Sequence, residues 1–167
     1  MLESLFYVKE ALGINGRPIR VYKFRTMEIG ADNHLEETLG SGLNHYGKPN
    51  RDERITRIGR FLRRYWLDEI PQIYNTVRGD LKLVGVRPMS EKSWERYPRD
   101  IKNKALKEKP GLLGVGSQHS HNDETFNLHL DVISRYLEDR ETKKPSSDLN
   151  QFFYILSNIL FRGVRSS

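Results

Sequence analysis

Two adjacent carboxylates, Asp68 and Glu69, sit in the stretch Leu67-Asp68-Glu69-Ile70-Pro71-Gln72-Ile73-Tyr74-Asn75. Arg63 and Arg64 come just before it, and the turn residues Arg78-Gly79-Asp80 close it. Side-by-side carboxylates repel unless positive charge lies between them, and Arg63, Arg64 or a divalent metal would supply that charge. We read Asp68 as a helix cap, Glu69 to Pro71 as the first turn and Gln72 to Val77 as the helix body. Proline is tolerated in a first turn because the amides there have no partner within the helix. Neighbours on a regular helix project about 100° apart. A cap has a non-helical backbone, so Asp68 and Glu69 can converge on one ligand. With no cysteine in the chain and no histidine pair nearby, a metal held there would be a hard, oxygen-ligated ion such as Mg²⁺ rather than zinc. An ordinary helix start with an aspartate cap accounts for the same residues.

Other basic residues fall at patterned positions. Leu5 to Val8 and Ile19 to Phe24 read as the strands of a hairpin, with Gly13-Ile14-Asn15-Gly16 as turn chemistry between them. Alternation puts Ile19, Val21, Lys23 and Arg25 on one side, so Lys23 and Arg25 form a possible anion clamp; two solvated surface charges is the plainer account. From Arg54 to Trp66 the spacing predicts a helix capped by Asp52 or Glu53. It has an apolar stripe (Ile55, Ile58, Leu62, Tyr65) beside a basic one (Arg57, Arg60, Arg64). Such a helix packs on a core and turns a face to phosphate or to a membrane surface. Pro110 to Ser117 reads as a glycine-rich turn whose amides could approach a phosphate. His45 reads as a surface residue, and the polar segment from Gln118 to Glu124 carries His119 and His121.

The remaining elements must position these groups. Asn33 to Leu39 suggests a short helix, and 40–50 a loop. Leu81 to Val86 reads as a strand. Residues 89–109 read as helical, packing through Trp94, Tyr97, Ile101 and Leu106. Amphipathic helices follow over 126–139 and from Asp148 to Phe161. The chain has 167 residues, 37% hydrophobic and 30% charged, enough for one core. No run reaches the roughly 20 apolar residues that cross a bilayer, and no signal peptide is visible. The absence of cysteine rules out disulfides and thiolate metal sites and does not set the compartment. A net charge of +6 points to anionic partners. The expected fold is a single α+β domain over residues 1–167, rich in helix, without repeats. Its small antiparallel sheet would join the hairpin to the 81–86 strand.

Several segments together resemble one family. These are Gly13-x-x-Gly16-x-Pro18 through Tyr22-Lys23-Phe24-Arg25-Thr26-Met27, then Arg54 to Arg63, Leu67 to Asn75, Gly79 to Pro88 and Pro110-Gly111. Each is soft alone, but their order and spacing are specific. The chain resembles the bacterial sugar transferases, the catalytic domains of monotopic polyprenyl-phosphate phosphoglycosyl transferases. The resemblance implies transfer of a phosphosugar from a UDP-sugar to a polyprenyl phosphate, releasing UMP, through a covalent intermediate on Asp68. It assigns Asp68 and Glu69 as catalytic and as Mg²⁺ ligands, and Lys23, Arg25, Arg63 and Arg87 as phosphate-binding. It implies peripheral attachment to the cytoplasmic face of the inner membrane, with this chain itself soluble, and no nucleic-acid partner.

The chain also departs from the family pattern. The resemblance leads one to expect a membrane-embedded helix, which breaks and returns, ahead of the hairpin; this sequence starts at the hairpin. Arginine is expected where Ala11 stands, serine at Trp66 and proline at Val86. Thr-Gly followed by Gln is expected where Leu113-Gly114 and Ser117 stand. The 40–50 insertion is atypical. These departures are expected near substrate surfaces. An active transferase, a degenerate homologue that binds nucleotide-sugar or lipid without turnover, and a basic nucleic-acid-binding domain are the three functional readings. The last lacks any recognisable reading motif.

Overall fold

A computed structural model describes residues 5–31, 52–116, 123–142 and 146–161. The expected 33–39 helix, the 40–50 loop with His45, and Ser117, His119 and His121 lie outside the described residues. The hairpin is present. β1 (Phe6–Leu12) pairs antiparallel with β2 (Pro18–Phe24), Phe6 opposite Phe24 and Leu12 opposite Pro18. The first strand thus runs on to Leu12 instead of ending at Val8. Its turn places Asn15 at φ 56° and Gly16 at φ 72°, left-handed conformations that these two residue types tolerate.

The 82–86 strand does not extend this hairpin, contrary to expectation. β3 (Lys82–Val86) pairs in parallel with β4 (Gly111–Val115), and the two form a separate sheet. The segment expected to be a glycine-rich phosphate turn is therefore mostly a strand, with Val115 fully buried. Parallel strands need a long crossover, and here it is supplied by α3 (Glu91–Trp94) and α4 (Arg99–Ala105). A buried parallel strand reads as an apolar run rather than an alternating one, so its period is hidden from the sequence. Around this pair lies the core: Val84, Val86, Trp94, Ile101, Val115, Ile133, Tyr136 and Leu137. α5 (Asp123–Glu141) and α6 (Ser146–Phe161) complete it, α6 packing on β3 and β4. The hairpin is tied on by main-chain bonds from Leu12 N–H to the Met89 carbonyl (2.8 Å) and from Asn15 N–H to the Leu106 carbonyl (2.6 Å).

Two helices carry the carboxylate stretch, α1 (Arg57–Arg64) and α2 (Gln72–Arg78). Thr56 caps α1, its hydroxyl oxygen accepting from Gly59 N–H at 2.8 Å. Asp52, one of the residues expected there, pairs with Arg54 instead. The expected apolar stripe of α1 divides: Ile55 and Leu62 are half-buried, whereas Ile58 and Tyr65 are exposed. The cause is Gly59. It lies so close to the Thr26 main chain that a Cβ would collide with the Thr26 carbonyl. The helix therefore presents its glycine to the end of the hairpin and turns Ile58 outward.

Candidate active site

α1 ends at Tyr65, and Trp66 then adopts a left-handed backbone, φ 58° and ψ 16°. That conformation is unfavourable for a bulky residue and persists only when packing over-determines it. Burial of the indole supplies the packing. The reversal leads at once into a 3₁₀ turn, Leu67–Glu69, and Pro71 takes the capping position of α2. Asp68 is therefore inside a tight turn and not the helix cap expected from the sequence. A 3₁₀ turn has about three residues per turn, so successive side chains diverge by roughly 120°.

The two carboxylates accordingly have different surroundings. Asp68 is 3% exposed and lines a cleft of about 210 Å³. Lys9, Lys23, Arg25, Thr26 and Arg63 are among its other walls. Glu69 meets the cleft through Lys23. Its Oε1 accepts from Lys23 Nζ at 2.8 Å and from Arg87 Nη2 at 2.6 Å. Burial by itself would push the Glu69 carboxyl up; Arg87 and Lys23 outweigh it and hold the group below the usual carboxylate range. Arg63 Nε donates to Thr26 Oγ1 at 2.9 Å, which fixes the guanidinium against the hairpin. Arg25 donates to the Phe6 carbonyl at 3.3 Å and lies 5.9 Å from the centre of the Tyr7 ring.

All six residues marked by the sequence thus converge on one neighbourhood. Asp68, Lys23, Arg25 and Arg63 line the cleft, and Glu69 and Arg87 stand against Lys23 or the glutamate it holds. Two contributors escaped the sequence reading. Lys9 lies on the cleft wall because β1 continues past Val8; the hairpin register was the signal that would have found it. Asn75, fully buried in α2, is a clip. Its Oδ1 accepts from Tyr22 N–H at 3.1 Å and its Nδ2 donates to the Arg20 carbonyl at 2.7 Å. The side chain thereby pairs α2 with the edge of β2, which holds Lys23 in register with Glu69.

The departures from the family pattern lie elsewhere than expected. Ala11, Trp66 and Val86 are buried, Leu113 packs against the core, and none of the four is among the residues lining the cleft. In the structure these four are packing positions.

Chemically, a buried carboxylate stands on the wall of a cleft lined by ammonium and guanidinium groups. That arrangement suits a polyanion, and the cations would stabilise charge developing on phosphate oxygens. Asp68 and Glu69 are hard oxygen donors of the kind Mg²⁺ takes. Among the described residues no group of three or more His, Asp or Glu side chains forms a self-sufficient metal site. The two do not converge as expected: Glu69 Oε1 is taken by Lys23 and Arg87, and Asp68 alone of the pair lines the cleft, so the site offers one carboxylate of the one or two that Mg²⁺ takes alongside substrate phosphates.

Comparisons with known proteins bear on the family. The family described as "Bacterial sugar transferase" matches residues 2–159. The UDP-galactose-lipid carrier transferase of Erwinia amylovora is 36% identical over 138 residues, 79% of this chain and 29% of that protein. The exopolysaccharide production protein ExoY of Sinorhizobium fredii is 33% identical over 141 residues, covering 81% of this chain and 62% of its own length. The UDP-glucose:undecaprenyl-phosphate glucose-1-phosphate transferase of Escherichia coli is 36% identical over 118 residues, 70% and 24% of the two chains. The chain spans less than two thirds of each of these relatives. With a family match over nearly its whole length and the motif residues gathered round one cleft, the chain belongs to the bacterial sugar transferase family.

Proposed function

We propose that this chain is a phosphoglycosyl transferase that moves a phosphosugar from a UDP-sugar to a polyprenyl phosphate such as undecaprenyl phosphate. The observation that carries this is the buried Asp68 carboxylate on the wall of a cleft lined by Lys9, Lys23, Arg25 and Arg63. Relatives named for UDP-galactose, UDP-glucose and undecaprenyl phosphate support the substrate classes.

In this proposal an oxygen of Asp68 attacks the sugar-bearing phosphorus of the donor. A bond forms between that oxygen and phosphorus, and the bond to the bridging oxygen breaks. UMP leaves with the electron pair. The phosphate oxygen of the polyprenyl acceptor then attacks the same phosphorus and releases Asp68 as a carboxylate. Dividing the transfer into two displacements lets one cleft serve two bulky substrates in turn. Lys23, Arg25 and Arg63 bind and orient the phosphates. Arg87 and Lys23 keep Glu69 ionised. Asp68 would hold Mg²⁺, which when bound neutralises phosphate charge and polarises the phosphorus–oxygen bond, while Glu69 stands behind the cleft as the counter-charge of Lys23 and Arg87.

The acceptor lies in a bilayer, and the helices on either side of the carboxylates expose apolar side chains. Ile58, Phe61 and Tyr65 do so on or beside α1, and Ile73, Tyr74 and Val77 on α2. Arg57, Arg60 and Arg64 are exposed with them. Mixed apolar and basic surface of this kind suits the headgroup zone of an anionic membrane, and we assign the cytoplasmic leaflet of the inner membrane as its place. Among the described residues no helix is long and apolar enough to cross a membrane.

Incubation with radiolabelled UDP-galactose or UDP-glucose and Mg²⁺ should leave label on the protein. Asp68→Asn should abolish labelling without unfolding the chain, since the amide is nearly isosteric. EDTA should prevent labelling and added Mg²⁺ or Mn²⁺ restore it. Equal labelling of the variant and the unsubstituted chain would sink the assignment of Asp68.

A further inference from the structure

Strand alternation puts Tyr7, Lys9 and Ala11 on one face of β1. The register pairs Tyr7 with Lys23 and Lys9 with Val21, so Lys9 and Lys23 are diagonal neighbours across the hairpin. Diagonal positions on one face are within reach of long side chains. Both lysines line the cleft that Asp68 also lines.

Two ammonium groups so placed repel each other, and the site removes water from both. Burial, followed by the charges of Arg87 and Lys23, pulls the Lys9 ammonium down to about 8, with Glu69 acting the other way. Three carboxylates stand nearby, Glu28 and Asp68 on the cleft wall and Glu69 against Lys23. Glu69 is bonded to Lys23 and Arg87, and Asp68 acts electrostatically on Arg63. The two other residues on that face of β1, Tyr7 and Ala11, are neutral, so packing of the strand does not call for a cation at position 9. A half-buried ammonium on a wall that already holds Lys23, Arg25 and Arg63 lowers stability of the empty protein. An anion with more than one charge, arriving in the cleft, reverses that balance.

We propose that Lys9 is a binding residue for the diphosphate of the nucleotide-sugar donor, its ammonium donating to a phosphate oxygen in the cleft while Lys23 does so from the opposite strand. The inference rests on the reading of the cleft as a donor site. It adds a cation that no motif marks, from the middle of β1. Because the two lysines come from paired strands, the spacing of the clamp is set by the hairpin ladder and not by a loop. The acceptor also carries a phosphate, but with one phosphorus it offers less charge to a wall with this many cations.

Titration of UDP into the full chain, with Mg²⁺ at constant ionic strength and pH near 7, tests this against Lys9→Met and Lys9→Arg. Lys9→Met should weaken UDP binding roughly tenfold or more, the scale of one lost charge-assisted hydrogen bond. Lys9→Arg, which keeps the charge, should stay within about threefold. The Met variant should also unfold at a higher temperature than the unsubstituted chain, a rise that a merely structural lysine would not give. Unchanged UDP affinity in Lys9→Met would overturn the role of Lys9 and leave the donor reading standing. A loss confined to farnesyl phosphate, with UDP binding intact, would equally overturn it, since Lys9 would then serve the acceptor. No UDP binding by the unsubstituted chain would overturn the donor reading and the role of Lys9 together.

Discussion

Glu69 is buried and Lys9 half-buried, both near Lys23 and Arg87, and they depend on pH in opposite ways. The Glu69 carboxyl titrates below its unfolded range, because Arg87 and Lys23 outweigh burial. The unfolded chain therefore takes up this proton first as pH falls. The stabilisation is fully present above about pH 4.3, the ordinary glutamate value, and is lost as pH drops through the folded value. Glu69→Gln should lower unfolding free energy by roughly 3 kcal/mol at pH 7, since Lys23 and Arg87 lose their counter-charge. That deficit should shrink below about pH 4, as measured by urea unfolding across a pH series. A deficit that stays constant with pH would show that Glu69 acts by shape alone. Lys9 titrates at about 8, below the ordinary 10.5, so the folded state releases its proton first as pH rises. Its destabilisation is complete below pH 8 and gone by about pH 10.5. Lys9→Met should accordingly stabilise the protein by about 2 kcal/mol at pH 7 and by nothing at the alkaline end.

Elements position these residues through two close contacts. One is Gly59, which lets α1 lie against the Thr26 main chain and brings Arg63 to Thr26 Oγ1. The other is the Asn75 clip, which takes the place of a missing neighbour strand at the edge of β2. Asn75→Ala would leave the Tyr22 amide and the Arg20 carbonyl without their partner. A loss of roughly 2–3 kcal/mol follows from one buried donor and one acceptor left unpaired. Hydrogen exchange should then speed up at Tyr22 before the rest of β2. Exchange unchanged at Tyr22, or a stability loss well under 1 kcal/mol, would show that water replaces the clip without consequence. Trp66 is the third element-scale device. Its left-handed backbone makes the corner between α1 and the 3₁₀ turn, and the turn's tighter period sends Asp68 and Glu69 to different neighbours.

At the scale of the whole molecule, a net charge of +6 combines with the apolar side chains exposed along α1 and α2. A basic residue near an anionic bilayer contributes about 1 kcal/mol, and the attraction is screened within a Debye length. Arg57, Arg60 and Arg64 would thus bind marginally, and Ile58 and Phe61 would add apolar contact. Co-sedimentation should show weak, salt-sensitive binding to anionic vesicles and little to neutral ones. Ile58→Asp with Phe61→Asp should reduce it at low salt. Tight, salt-resistant binding to neutral vesicles would mean that apolar insertion governs attachment, and equal binding by the double variant would move the contact off α1.

Much of the candidate site was legible in the sequence because its residues sit in short, ordered motifs with recognisable chemistry. Asp68, Glu69, Lys23, Arg25, Arg63 and Arg87 were all identified from residue type and spacing or from the family resemblance, and so was the α+β class. Local signals also located the Asn15-Gly16 turn, since a left-handed turn depends on the residues within it. What only the tertiary structure decided was partnership. The pairing of β3 with β4, the end of β1, the outward turn of Ile58, and the place of Lys9 on the cleft wall each depend on which distant segment lies alongside. A strand's partner is set by contacts its own residues do not encode, and a glycine set against a carbonyl outweighs an apolar stripe. The chemistry of a side chain belongs to the residue and can be read locally. Its neighbours, and hence its charge state and its access to a ligand, are set by contacts between segments far apart in the chain.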